Sequence, residues 1–188
     1  KGGGGTAVIY KNNLLIKKGE SSASKYESFE FSYTHLNDKS SRIILICIYR
    51  KQEISCKIFC KEFETFMDSL PDKTDEMIIV GDFNLWADAE ENTDFKMFET
   101  LMNAYGLEQV INKPTHRNGH ILDHVYINQY ETSMTFGVMD STFGISTDHL
   151  PCMMNLPRKL QLKEEEYVKT RKLKNIDMDT FKEKINTI

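Results

Sequence analysis

The stretch Met77-Ile78-Ile79-Val80-Gly81-Asp82-Phe83-Asn84 constrains the fold of this chain more than any other. A short apolar run reads as a buried strand, and the turn that ends it presents a carboxylate and a carboxamide two positions apart. A buried strand needs nothing polar at its tip. Side chains alternate along an extended chain, so Asp82 and Asn84 point the same way if the extension persists past Gly81. Together they can hold a metal ion, a water or a phosphate oxygen. The same letters also suit a plain strand-to-loop turn, which Gly, Asp and Asn favour for backbone reasons alone.

A second stretch weighs against the plain turn. Ser146-Thr147-Asp148-His149-Leu150-Pro151 precedes the apolar Cys152-Met153-Met154, and an Asp-His pair beside a strand offers a metal ligand or an orienting carboxylate next to a side chain that titrates near neutrality. Between the two lies Ile121-Leu122-Asp123-His124-Val125-Tyr126-Ile127, where an acid sits inside a strand-like run. Burying a carboxylate is costly unless it has a partner. Three acid-bearing strand ends in this order are hard to obtain from unrelated turns.

With these stretches in place, the sequence resembles the endonuclease/exonuclease/phosphatase superfamily, and within it the endonuclease domain of LINE-type (non-LTR) retrotransposons. The resemblance runs over most of the chain. It is carried by Gly3-Gly4-Gly5-Thr6-Ala7-Val8-Ile9, Tyr26-Glu27-Ser28-Phe29-Glu30, Ile48-Tyr49-Arg50, Gly81-Asp82-Phe83-Asn84, Lys113-Pro114-Thr115-His116, Gly119-His120-Ile121-Leu122-Asp123 and Thr147-Asp148-His149. It implies an α+β fold, a two-sheet β-sandwich flanked by helices in four layers (α/β/β/α), here lacking its first strands. It also implies a metal-dependent phosphodiesterase that nicks DNA.

The resemblance assigns roles residue by residue. Asp82 positions or deprotonates the attacking water, and Asn84 holds that water or the phosphate. His149 stabilises the charged phosphate or acts as acid/base, oriented by Asp123. Asp148 lies near the metal together with Asp82, and Tyr49 and Thr115 contact the phosphate and DNA backbone. Magnesium suits such a site, with manganese as the alternative, because hard cations prefer oxygen donors and keep several waters. The implied partners are DNA and, in a parent polyprotein, a reverse transcriptase; the implied setting is intracellular and nuclear. Two rival readings stay open: a phosphatase or phosphodiesterase of the same superfamily acting on small or lipid substrates, and a non-catalytic remnant of a retroelement.

Composition agrees. With 188 residues and 40% hydrophobic content, the chain suits one domain with a real core, expected over residues 1–157, followed by a charged linker over residues 158–188 leading toward a reverse transcriptase. No apolar run approaches the roughly 20 residues of a membrane helix. The four cysteines show no Cys-x-x-Cys spacing, so reduced thiols are expected. A net charge of −4 argues against an indiscriminate nucleic-acid binder, although a basic rim can sit on an acidic protein. Lys159, Lys163, Lys169, Arg171, Lys172 and Lys174 cluster late, interspersed with Glu164, Glu165 and Glu166, and read as a solvated face.

Periodicity predicts strands over Thr6–Tyr10, Tyr26–Tyr33, Arg42–Tyr49, Leu107–Ile111, Ile121–Ile127 and Cys152–Leu156, with a loop running from Ile127 to about Thr147. Phe59, Phe63, Phe66, Met67 and Leu70 predict a helix stopped by Pro71; Phe95, Phe98, Leu101, Met102 and Tyr105 predict another from Thr93, ended by Gly106. A third is expected from Asp179 to Ile188. His116, His120 and His124 stand four apart, but Pro114 and Asn118-Gly119 argue against a helix there, so they read as solvated or loop-stabilising histidines. The resemblance also assigns an Asn and a metal-binding Glu to two opening strands that have no counterpart here. The expectation is a truncated or decayed domain with weak or no nuclease activity.

Overall fold

The computed structural model describes residues 5–22, 24–37, 42–70, 76–89, 91–140, 142–163 and 177–186. Gly3, Gly4, Pro71, Glu164, Glu165, Glu166, Lys169, Arg171, Lys172 and Lys174 lie outside the described residues. Alternation builds the central sheet. In β3 (Arg42–Arg50) and β4 (Glu76–Asp82), successive residues send side chains to opposite faces and both faces are apolar, whereas β2 (Phe29–Asn37) is apolar on the face of Phe29 and Phe31 and carries Glu30, Ser32 and Thr34 on the other. Six strands pair in the order β1-β2-β3-β4-β6-β5, adding β1 (Ile16–Ser22), β5 (Glu108–Gln109) and β6 (Asp123–Ile127). Among the described strands only β3 and β4 run parallel, with helix α1 (Cys56–Ser69) between them in sequence.

One face carries α1 and α2 (Thr93–Ala104). Phe59, Phe63 and Phe66 recur along α1 at three- and four-residue spacing and are completely buried against Phe29, Phe31, Ile44, Ile46, Ile48 and Ile79. Asn92 caps α2, its side chain accepting from the N–H groups of Asp94 and Phe95 at 3.1 Å each. Phe83, Phe98 and Tyr126 continue the same aromatic core toward the site.

The other face meets a second sheet, β7 (Thr135–Val138) paired with β8 (Cys152–Asn155). Ile43, Ile78, Val125 and Ile127 are buried there, with Phe136, Val138, Cys152 and Met154 packed on them. Two packed sheets with flanking helices make the α+β architecture that the sequence implied. Helix α3 (Met178–Ile185) lies close to its expected span.

Several expectations change. No strand forms over residues 6–10, where Ile9 is 95% exposed; an apolar run without a ladder partner does not become a strand. β1 was hidden by its polar composition and β7 inside an expected loop. The boundary expected at 157/158 falls within packed structure. Arg158 pairs with Glu76 at 2.9 Å, and Gln161 N–H bonds Asn37 O at 2.8 Å, so the chain to residue 163 belongs with the sheet. All four cysteines are free, and among the described residues no helix is long and apolar enough to cross a membrane.

Candidate active site

Register assembles the site. Tyr49 of β3 lies opposite Asp82 of β4, and Asp82 lies opposite Asp123 of β6, so the three stand in one row across adjacent strands. Parity sends all three to the face shared with the second sheet, since Leu45, Val80 and Val125 lie two or four residues away on the same side. The loop before β8 brings His149 to this row, and His149 donates its Nδ1 proton to Asp123 Oδ2 at 2.8 Å. A cleft of about 880 Å³ runs from Asp123 and His149 between the sheets past Leu45, Val80 and Met154.

The charges there are crowded. Burial, and then the charge of Asp123, push the Asp82 carboxyl up to about 6, although His149, the Asn84 N–H and His116 pull the other way. For His149, burial would lower the pKa, but the hydrogen bond and charge of Asp123, with Asp82 and Asp148, hold it above its ordinary value. Tyr49 is raised by burial and by the nearby charges of Asp82, Glu53 and Glu30.

The turn after β4 does not stay extended. Asn84 has φ 50°, in the left-handed region, and its N–H closes on Asp82 Oδ1 at 3.1 Å in an Asx-type turn. Its Nδ2 donates to Arg50 O at 2.9 Å. Asn84 is therefore aligned with Asp82 by this turn and not by strand alternation. Buried Arg50 holds the same turn from below, donating to Asn84 O at 3.4 Å and to Ile54 O at 2.8 Å. Gly81 is required beside it: an added Cβ would stand 1.9 Å from Ile48 O.

Thr115 corrects the expectation of a surface contact. It is fully buried, and its Oγ1 accepts the N–H groups of Leu122 and Asp123 at 3.0 Å each. Its carbonyl accepts the Leu150 N–H at 2.7 Å. A side chain enclosed in this way reaches no DNA; it ties the Asp123 strand to the His149 loop.

The three spaced histidines separate. His124 is buried in the aromatic core, with its pKa lowered to about 4 chiefly by burial. His120 stacks on Trp86. His116 belongs to the site: its Nε2 faces Asp148 Oδ2 at 3.3 Å, its ring packs edge-on to His149 at 5.1 Å, and its Nδ1 accepts the Asn118 N–H at 3.2 Å. The only sequence signal for it was its place directly after Thr115. Asp148 is exposed, and its pKa is lowered by its own backbone N–H and by His116.

Two groups of side chains are close enough to share an ion, Asp82 with Asp123 and His149, and His116 with Asp148 and His149, the ligand atoms of each lying within 4.8 Å of one another. Asp82 and Asp148, the pair expected near one metal, fall in different groups, with His149 common to both. The first group fits a hard divalent cation: two crowded carboxylates, one with a raised pKa, are an oxygen donor set that a cation relieves.

Over residues 43–153 the sequence matches the family described as Endonuclease-reverse transcriptase. No curated protein matches it. Among solved structures, the endonuclease domain of TRAS1, a telomere-specific non-LTR retrotransposon, is similar with a TM-score of 0.62 and 13% identity, over 83% of this chain and 71% of that one. A mannosyl-6-phosphatase from Bacteroides thetaiotaomicron gives 0.54 at 12% identity, over 78% and 68%. An endonuclease/exonuclease/phosphatase family protein from the same bacterium gives 0.53 at 12%, over 77% and 66%. At these identities the likeness is one of fold.

Proposed function

Because the chain belongs to the Endonuclease-reverse transcriptase family, in the endonuclease/exonuclease/phosphatase superfamily, we propose that Asp82, Asp123 and His149 are the reacting centre of a metal-dependent phosphodiesterase that nicks DNA. One observation carries the reading: Asp82 and Asp123 stand side by side in register, and Asp123 holds His149 by its Nδ1 at 2.8 Å. That bond leaves the His149 Nε2 to face a phosphate.

In this reading Asp82 orients water toward phosphorus and takes its proton. The bond to the leaving oxygen breaks, and that oxygen takes a proton from His149 Nε2. Asn84 and Arg50 keep the Asp82 carboxylate in place, and Tyr49 flanks the phosphate. Asp82 and Asp123 would hold Mg²⁺ or Mn²⁺, and the bound ion would supply charge neutralisation at the phosphoryl oxygens; Asp148 would act through His116, which it faces. The resemblance assigns a glutamate to that ion. Neither ligand group among the described residues contains one, so the proposed turnover of this chain is low. A reverse transcriptase as neighbouring domain and a nuclear setting belong to the same proposal.

The test is nicking of supercoiled plasmid with Mg²⁺, Mn²⁺ or EDTA, by the chain as given, by a version carrying a relative's opening strands, and by that version with His149→Ala. Metal-dependent nicking lost in His149→Ala supports the proposal. Nicking that survives EDTA or His149→Ala, or no nicking by any version, overturns it.

A further inference from the structure

Trp86 is the chain's one tryptophan, and it stands on the loop that leaves Asp82. Its side chain is 46% exposed. One face of the indole is covered: the His120 imidazole stacks on it with centroids 3.9 Å apart and planes within 11°. His120 is fixed in turn, its Nδ1 lying 3.0 Å from Asp88 Oδ2, while Asp88 Oδ1 accepts the Ile121 N–H at 2.8 Å. The loop is sewn to the strand bearing Asp123 by Phe83 N–H to Leu122 O at 3.0 Å and Ala87 N–H to Ile121 O at 3.2 Å. Among the described residues no other ring contacts the indole.

A lone exposed apolar side chain is ordinary and calls for no explanation. A braced one is different. Fixing an aromatic ring before a ligand arrives removes the ordering cost at binding, and stacking is what a planar, uncharged face offers. The position selects the ligand. His120 is three residues from Asp123, so their Cα atoms are at most about 11 Å apart even with the chain fully extended. Adding the reach of the imidazole and the 3.9 Å stack, the indole lies within roughly 18 Å of the Asp82–Asp123–His149 row, about five nucleotides at roughly 3.4 Å per step along a strand. Every base has a π-face, but only a base outside the duplex stack can lay it on a side chain.

We propose that Trp86, braced by His120 and Asp88, is a stacking platform for an unpaired nucleobase of a DNA substrate, within a few nucleotides of the phosphodiester that is cleaved. The choice of DNA rests on the nuclease reading above. The platform selects single-stranded or locally opened sites over closed duplex without reading a particular sequence.

Because Trp86 is the sole indole, its fluorescence reports its own occupancy. In EDTA, where no cleavage complicates the signal, the chain is titrated with a single-stranded DNA oligonucleotide, the same sequence as duplex, an abasic oligonucleotide of equal length, and a sugar monophosphate. The expected result is saturable quenching by the single strand, with affinity at least tenfold weaker for the duplex and the abasic strand. Anisotropy of a labelled strand should show Trp86→Ala binding about ten- to hundredfold more weakly, as loss of one base stack implies. His120→Ala should weaken binding by less, with circular dichroism unchanged in both variants. Equal quenching by abasic and ordinary strands, quenching by the sugar phosphate, no quenching by any oligonucleotide, or wild-type affinity in Trp86→Ala would each overturn the proposal. A chain that quenches in this pattern but never nicks keeps the platform and loses the nuclease reading; one that nicks without quenching does the reverse.

Discussion

Mild acid should loosen this fold through His124. The imidazole is stacked on Phe83 at 5.0 Å and lies edge-on to Phe95 at 5.6 Å. Its Nε2 proton is donated to Leu85 O at 2.9 Å and Ile121 O at 3.3 Å, and its Nδ1 accepts from the Tyr126 hydroxyl at 3.3 Å. The neutral ring thus ties together the two loops that flank the Asp82–Asp123 row. Burial lowers its pKa from 6.5 to about 4. The unfolded chain therefore binds a proton that the folded one refuses between those values, so stability falls as pH drops through that window and is fully present above about 6.5. The complete effect is about 3 kcal/mol, and about 2 kcal/mol is lost by pH 5. For a chain of this size, that is a fall in Tm of about 4–8 °C. Urea unfolding at pH 8 and pH 5, for the wild type and for His124→Gln, isolates the residue, because glutamine keeps an N–H donor and does not titrate. The wild type should lose about 2 kcal/mol more than the variant. Equal pH dependence in both, or an imidazole resonance assigned to His124 that titrates near 6.5 in the wild type, would refute the reasoning.

Thr115→Val removes the oxygen that accepts two backbone N–H groups and should cost about 2–4 kcal/mol in urea unfolding, with Thr115→Ser close to wild type. Nicking by an active version should fall in the Val variant and recover in the Ser variant. Gly81→Ala, with its Cβ 1.9 Å from Ile48 O and φ at +154°, should destabilise by about 3 kcal/mol or more; a variant within 1 kcal/mol of wild type would show that the close approach is relaxed. Arg158→Met leaves the Glu76 carboxylate, only 2% exposed, without its cation. The expected loss is about 2 kcal/mol, discounted for the half-open side of the pair, and Glu76→Met in the same chain should restore most of it. An unchanged Arg158→Met variant would return residues 158–163 to the linker.

The fold was legible where apolar residues are dense. Ile43 to Ile48 and Met77 to Val80 announce strands covered on both faces, and Phe59, Phe63 and Phe66 announce a helix, because burial alone selects those periods. β1, with the sequence Ile16-Lys17-Lys18-Gly19-Glu20-Ser21-Ser22, was not legible, since it is a strand only through its pairing with β2. The same physics undid the strand expected at Thr6–Tyr10, where apolar residues find no partner.

By itself the sequence singled out the groups proposed for chemistry: Asp82, Asp123, Asp148 and His149 stand at or beside strand ends. Which of them meet was decided by tertiary structure. Register between three strands set Asp82 beside Asp123 and Tyr49, a loop from the second sheet aimed His149 at Asp123 and set Asp148 against His116, and Thr115 turned inward to hold strand and loop together. The physical reason is range. Alternation and helical period act over neighbouring residues and can be read along the chain, whereas these contacts, the Thr115–Asp123 bond aside, join residues 26 or more apart and depend on how strands slide past one another before they lock.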